Sequence, residues 1–322
     1  MTFTARLAAV CTALALLAAA FILGRVFSPQ RMEERRSGAP LVSLGHSAQV
    51  ASVDVYSHAT DSRPLVTLQR KGANLWEAAG GDTPYPASSD RVAVLLQGLL
   101  DLRRGNLVSS DPAKMANLGL DPASAHLVIL HAEGRPDVAL LVGKRAPSGD
   151  QEYVELRGES SAFLTRSSIG ILLSQDRSYW YGLRVLPDDV QSGAIMSVAV
   201  SGSLIGAPYA LLRVPAGQSF QWQLHGQNAA VNQTAATAMI DRLAQLEGID
   251  FAPGGTPASQ AGRLLEVTVI ALNGDRYILR VGAGSHNGEL SLTTSWSPWT
   301  YVLDSLTLTR TIFRLSDLLA TQ

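Results

Sequence analysis

Cysteine is almost missing: the 322-residue chain has one, Cys11, inside an N-terminal apolar run. Beyond that run no disulfide, thiolate metal site or cysteine nucleophile can be built. The lack of staples leaves the compartment open, because a core of this size stands without them. Lysine is scarce too, with Lys71, Lys114 and Lys144 the only three among 26 basic residues. Set against 27 acidic residues, the basic ones leave a net charge of −1 and form no block, so no nucleic-acid partner is expected. Hydrophobic residues reach 46%, enough for a sizeable core, and the length suits about two domains.

Catalytic signatures are missing as well. The histidines are His46, His58, His126, His131, His225 and His286, and no two have the i, i+4 spacing that puts two ligands on one helix face. His126 and His131 are five apart, so in an unbroken strand they face opposite sides. No metal site and no cofactor is expected. "GAGSHNG" (Gly282–Gly288) resembles a phosphate loop, but "ELSLTT" after it reads as a strand and not a helix, which makes it a hairpin turn. "SGSLIG" and "GESSA" place serines in turns without the spacing of a nucleophile elbow. Carboxylates that meet only in space stay open as a route to hydrolase chemistry.

The features that are present start at the N-terminus. Leu7–Leu23, "LAAVCTALALLAAAFIL", runs seventeen residues without a charge, just long enough to span a bilayer core. "FILGRVFS" after it is a poor cleavage site, and Val10 before Cys11 is wrong for a lipoprotein, so a retained signal-anchor over 1–27 is expected. Arginines flank both sides, and charge alone does not set the orientation. Residues 28–49 are polar and arginine-rich and read as a juxtamembrane linker.

Two units come after the linker, 50–190 and 191–322, with the same order of elements. Strands "VASVDVYS" and "PLVTLQRK" lead to Trp76 in the first; "IMSVAVSG", "YALLRVPAG" and Trp222 repeat them in the second. A helix comes next in each. Val92, Leu95, Leu96, Leu99 and Leu102 form one stripe, and Met239, Ile240, Leu243 and Leu246 the other. Ser88 or Ser89 caps the first helix, and Asn232 or Thr234 the second. "HLVILHAEGRPDVALLVGK" then matches "LEVTVIALNGDRYILRVGA" as a hairpin. Another strand and a short helix close each unit, near Ser167–Leu173 and Leu315–Leu319. The expected fold is α+β, each unit a small mixed, mostly antiparallel sheet with one main amphipathic helix. Duplication is the favoured origin; two successive domains of similar composition is the alternative.

Aromatic residues are few, and they cluster. "SYWYGLRVLP" carries Tyr179, Trp180 and Tyr181, and "SWSPWTY" carries Trp296 and Trp299. These five are the candidate partner-binding residues, with packing as the plainer reading of the first cluster.

The first unit also resembles a bacterial family, domain-of-unknown-function family 4340. The resemblance rests on Trp76, Pro86-Ala87 before a helix, Leu99 to Ser109, Lys114 with Leu118-Gly119-Leu120-Asp121, Gly143-Lys144 and Tyr153-Val154, over about Trp76 to Leu186. It implies an inner-membrane anchor with the body outside the cytoplasm, and a link to the auxiliary component of a gliding-type ABC transport system. The family brings no catalytic residues. The expected function is a membrane-anchored, non-enzymatic envelope protein acting as accessory or scaffold to a protein partner in a membrane complex. The alternative is a module binding a small molecule or envelope polymer in a cleft between the units.

Overall fold

The computed structural model describes residues 17, 38–44, 47–81, 83–167, 169–227, 229–253, 262–286 and 288–320. The signal-anchor expected over 1–27 therefore lies outside the described residues, apart from Leu17, as does most of the linker. No helix among the described residues is long and apolar enough to cross a membrane. The described end of the linker stretch is not loose chain. Gly38 N–H donates to the Arg104 carbonyl at 2.7 Å and Leu41 N–H to the Leu102 carbonyl at 2.9 Å. Leu41, Val42 and Leu44 are buried, so the apolar "LVSL" joins the first unit's core.

The chain divides into two units, one of residues 1–80 and 89–177, the other of 81–88 and 178–322. The short piece 81–88 groups with the second unit, although it precedes the first unit's main helix in sequence.

In the first unit the strands are β1 (Val50–Tyr56), β2 (Val66–Arg70), β3 (Trp76–Ala79), β5 (Leu107–Ser109), β6 (His126–Ala132), β7 (Val138–Arg145), β8 (Gln151–Leu156) and β9 (Ala162–Arg166). They lie in the order β3-β2-β1-β6-β7-β8-β9-β5. Two helices accompany them, α1 (Ser89–Leu100) and α2 (Ile169–Leu173). In the second unit, β4 (Tyr85–Pro86) comes with residues 81–88. The others are β10 (Ile195–Ser201), β11 (Tyr209–Ala216), β12 (Ser219–Leu224), β13 (Asp250–Phe251), β14 (Leu265–Ala271), β15 (Arg276–Ala283), β16 (Glu289–Thr294) and β17 (Tyr301–Asp304). Their order is β12-β11-β10-β14-β15-β16-β17-β13, which matches the first sheet strand for strand. The helices here are α3 (Gln233–Ala244), α4 (Ser305–Thr311) and α5 (Leu315–Leu318).

The match extends to details. β1 and β10 each pair with a hairpin strand on one side and carry a register shift on the other, at Val50/Ser52 against β6 and at Ile195/Ser197 against β14. The buried stripes agree position by position: Val92, Leu95, Leu96 and Leu99 in α1 correspond to Ala236, Met239, Ile240 and Leu243 in α3. An amphipathic helix needs a sheet to cover its apolar side, so one shared register specifies one packing solution twice.

Two expectations need correcting. Every strand pair recorded within the two units is antiparallel, so the sheets are not mixed. Each parallel step would need a long crossover, and here hairpins do most of the connecting. A helix, α4, also stands between β17 and the terminal α5, where one strand was expected to lead straight to the short helix. Asp304 starts α4 by accepting from the Thr307 N–H at 2.7 Å. Of the alternative caps for the second main helix, Asn232 is the one used, accepting from the Ala235 N–H at 3.1 Å.

Candidate functional site

The five aromatic candidates separate into three groups, all in the second unit. Tyr179 meets Trp180 edge-on, with ring centroids 5.1 Å apart, and Trp180 is fully buried. Trp296 meets Tyr277 edge-on at 5.1 Å. Tyr181 and Trp299 join a third, larger cluster.

That cluster is built from residues remote in sequence. Tyr85 stacks on Phe251 at 4.7 Å with an interplanar angle of 14°, and meets Tyr181 and Trp299 edge-on, both at 5.1 Å. Phe251 also lies 5.1 Å from Tyr301. Tyr85, Tyr181, Phe251 and Tyr301 are buried, while Trp299 is half-buried at the rim. Offset and edge-to-face pairs each add roughly 0.5–1.5 kcal/mol beyond burial, so the cluster is first of all a fastener. It ties residues 81–88 to β13 and β17, helped by the Tyr85 hydroxyl donating to the Ala252 carbonyl at 3.3 Å. Burial raises the Tyr85 and Tyr301 hydroxyls above their ordinary pKa, so both stay neutral at physiological pH. Tyr301 closes the flagged stretch "SWSPWTY", whereas Phe251 does not stand out in the sequence and Tyr85 has only its flanking prolines as a local hint.

Trp180 and Tyr181 are therefore packing residues with little surface left for a partner. Tyr179, Trp296 and Trp299 keep exposed faces. A separate exposed aromatic lies outside the five: Phe220 on β12, 59% accessible. The Arg213 guanidinium lies over its ring at 4.3 Å and is held there by a hydrogen bond to the Gly193 carbonyl. The pairing repeats a device of the first unit. There Arg70 sits over Trp76 at 4.3 Å and donates to the Val50 carbonyl at 2.9 Å. Arg70 is the cross-strand partner of Trp76, as Arg213 is of Trp222.

The first unit holds the polar constellations. His126 Nε2 lies 3.2 Å from Ser174 Oγ. Glu152, only 1% accessible, is close enough to act on the same imidazole. These are the residue types of a hydrolase, but the Ser174 hydroxyl is also within reach of the helix backbone, donating to the Gly170 carbonyl at 2.6 Å, so it is shared between that carbonyl and the imidazole. One Glu152 oxygen accepts from the Gly170 N–H at 3.2 Å; the other is buried without a hydrogen-bond partner, 3.7 Å from Arg145 Nε. Burial holds the His126 imidazole below its ordinary pKa. The group fastens α2 to β6 and β8.

His131 faces the other side of β6. Its Nε2 lies 3.1 Å from Asp54 and its Nδ1 2.9 Å from Asp137, and Thr67 donates to the far Asp54 oxygen at 2.6 Å. Burial alone would lower the imidazole pKa; the two carboxylates outweigh it and raise it. When the imidazole is protonated, both ring nitrogens have a carboxylate to donate to. No group of three or more metal-ligating side chains gathers among the described residues.

Two glycines behind the family resemblance have a packing role. Gly119 takes a left-handed conformation at the end of a 3-10 turn (Pro112–Leu118), and a Cβ there would lie 2.7 Å from Lys144 Cγ. A Cβ on Gly143 would lie 2.5 Å from the Leu118 carbonyl. Two glycines thus let the Leu-Gly-Leu turn and the Gly-Lys strand touch backbone to backbone. Met115 and Leu120 drop from this turn into a cluster with Leu127 and Leu141.

The family model described as "Domain of unknown function (DUF4340)" matches residues 76–264. The chain belongs to this family. The match runs beyond the resemblance read near Trp76 to Leu186, from the start of β3 to the residue before β14, and takes in elements of both units. The family description names no enzymatic activity. No curated protein and no solved structure matches the chain.

Proposed function

We propose that this member of the DUF4340 family is a membrane-anchored, non-enzymatic envelope protein that serves as accessory or scaffold in a membrane complex, with an ABC transporter as the expected kind of complex. The observation carrying the reading is the Phe220–Arg213 pair on β12. A large ring is exposed, and its guanidinium neighbour is fixed in advance by a backbone carbonyl. Arginine and aromatic residues dominate the energetic centres of protein interfaces, and a side chain already ordered loses less entropy on binding. The polar contacts of the first unit are compatible with it, because several of them fasten strands and helices.

The test is affinity capture of the full chain from gently solubilised membranes, with the Phe220→Ala chain beside it. The wild type should recover a membrane-protein partner in near-stoichiometric amount, and the variant should lose most of it. A wild-type chain that comes down alone, or a partner retained equally by both chains, would defeat the reading.

A further inference from the structure

The two units differ at one matched point, where the main helix meets the chain leaving the last long strand of the sheet. In the second unit, Ser305–Arg314 intervenes between β17 and α5 and covers α3. Leu308, Thr311 and Ile312 are buried there, Arg242 donates to the Arg310 carbonyl at 2.8 Å, and its guanidinium lies 5.5 Å over the Phe313 ring. The first unit has no such segment: β9 ends at Arg166 and α2 begins at Ile169. The shared register of α1 and α3 puts Gly98 at the position of Arg242.

With segment and filler both missing, an open groove of about 330 Å³ remains, lined by Val94, Gln97, Gly98, Asp101, Arg166 and Leu172. Apolar side chains of the two helices are left in water, Val94 of the lining at 58% and Ile171 on α2 at 47% accessible. The glycine has a packing role too, since a Cβ would lie 3.3 Å from Ile169 Cγ1. That explains how α2 comes close, and it leaves the exposed valine and isoleucine unexplained.

We propose that this groove receives a short helical segment of a partner protein that carries an aromatic residue and a basic one, in the part that Ser305–Arg314 plays within the second unit. The charge at the groove favours this occupant. Arg166 lies 3.7 Å from Asp150, which balances it. Asp101, bound by the Gln97 amide at 2.7 Å, stands at the C-terminal end of α1, where the helix dipole also prefers a cation. An aromatic anchor fills the apolar floor, as helix-in-groove recognition requires. The proposal stands independently of the Phe220 surface, because it concerns the other unit.

The probe is a labelled peptide of sequence SLTLTRTIFR, titrated against the full chain in detergent by fluorescence anisotropy. Saturable binding below about 1 mM is expected, weakened about tenfold or more in the Val94→Arg chain and by a smaller factor in Asp101→Arg. Val94 and Asp101 are exposed, so neither change threatens the fold. A peptide with alanine for its phenylalanine should not bind. Lack of saturation below about 1 mM, or binding indifferent to Val94→Arg, overturns the proposal. Indifference is also the outcome if the peptide merely displaces its own copy from the second unit.

Discussion

The two sheets share one strand order, yet matched positions are polar in the first unit and apolar in the second. His131 and Ile270 occupy the same place beside the register shift, opposite Ser52 and Ser197. Asp54 corresponds to Ala199 in the same alignment of strands. His126 and Leu265 are matched through their partners Val142 and Val281. Glu152 falls where Leu290 sits. The second unit holds its edge with five aromatic rings instead. One backbone plan thus accommodates both kinds of fastening.

Importing the second unit's residues into the first puts this equivalence to the test. The largest effect should come at Glu152. Removing its side chain in Glu152→Ala deprives the Gly170 N–H of its acceptor and leaves a cavity, at a cost of about 1–3 kcal/mol in urea denaturation. Glu152→Leu takes the matched residue and fills the space, so it should cost less than the alanine change. If leucine is the more damaging of the two, the position has a role that the second unit does not share.

His131→Ile should act more gently and through pH. The folded imidazole has a pKa above 6.5, so its stabilising contribution is complete below that value and fades as pH rises through the higher folded value. Wild-type stability should therefore fall across the neutral to mildly alkaline range, and that fall should flatten in His131→Ile. Urea midpoints at about pH 5.5 and about pH 8.5 read the difference. An unchanged pH slope would show that the Asp54 and Asp137 contacts do not hold the proton.

Much of this plan is legible in the sequence, because it rests on periodicity. The helical stripes through Leu95 and Met239, the hairpins and the paired tryptophans Trp76 and Trp222 all leave patterns a single chain displays. Other parts leave none. β13 is two residues long and β5 three, too short for any alternation to register. α4, "SLTLTRT", alternates like a strand and is rich in β-branched threonine; the Asp304 cap and burial of Leu308 and Thr311 override that preference. The aromatic cluster takes Tyr85 from one part of the chain and Phe251 and Trp299 from others, and three-dimensional proximity of that kind has no sequence period. Phe220 leaves no sequence signal either, because exposure, not identity, makes it a candidate.

We propose that the two-unit body faces outward from a membrane anchor and works by contact. Protease added to intact spheroplasts tests it most directly. The body should be digested while a cytoplasmic marker survives, leaving only an anchored N-terminal stub. A body that persists until the spheroplasts are lysed would contradict the claim.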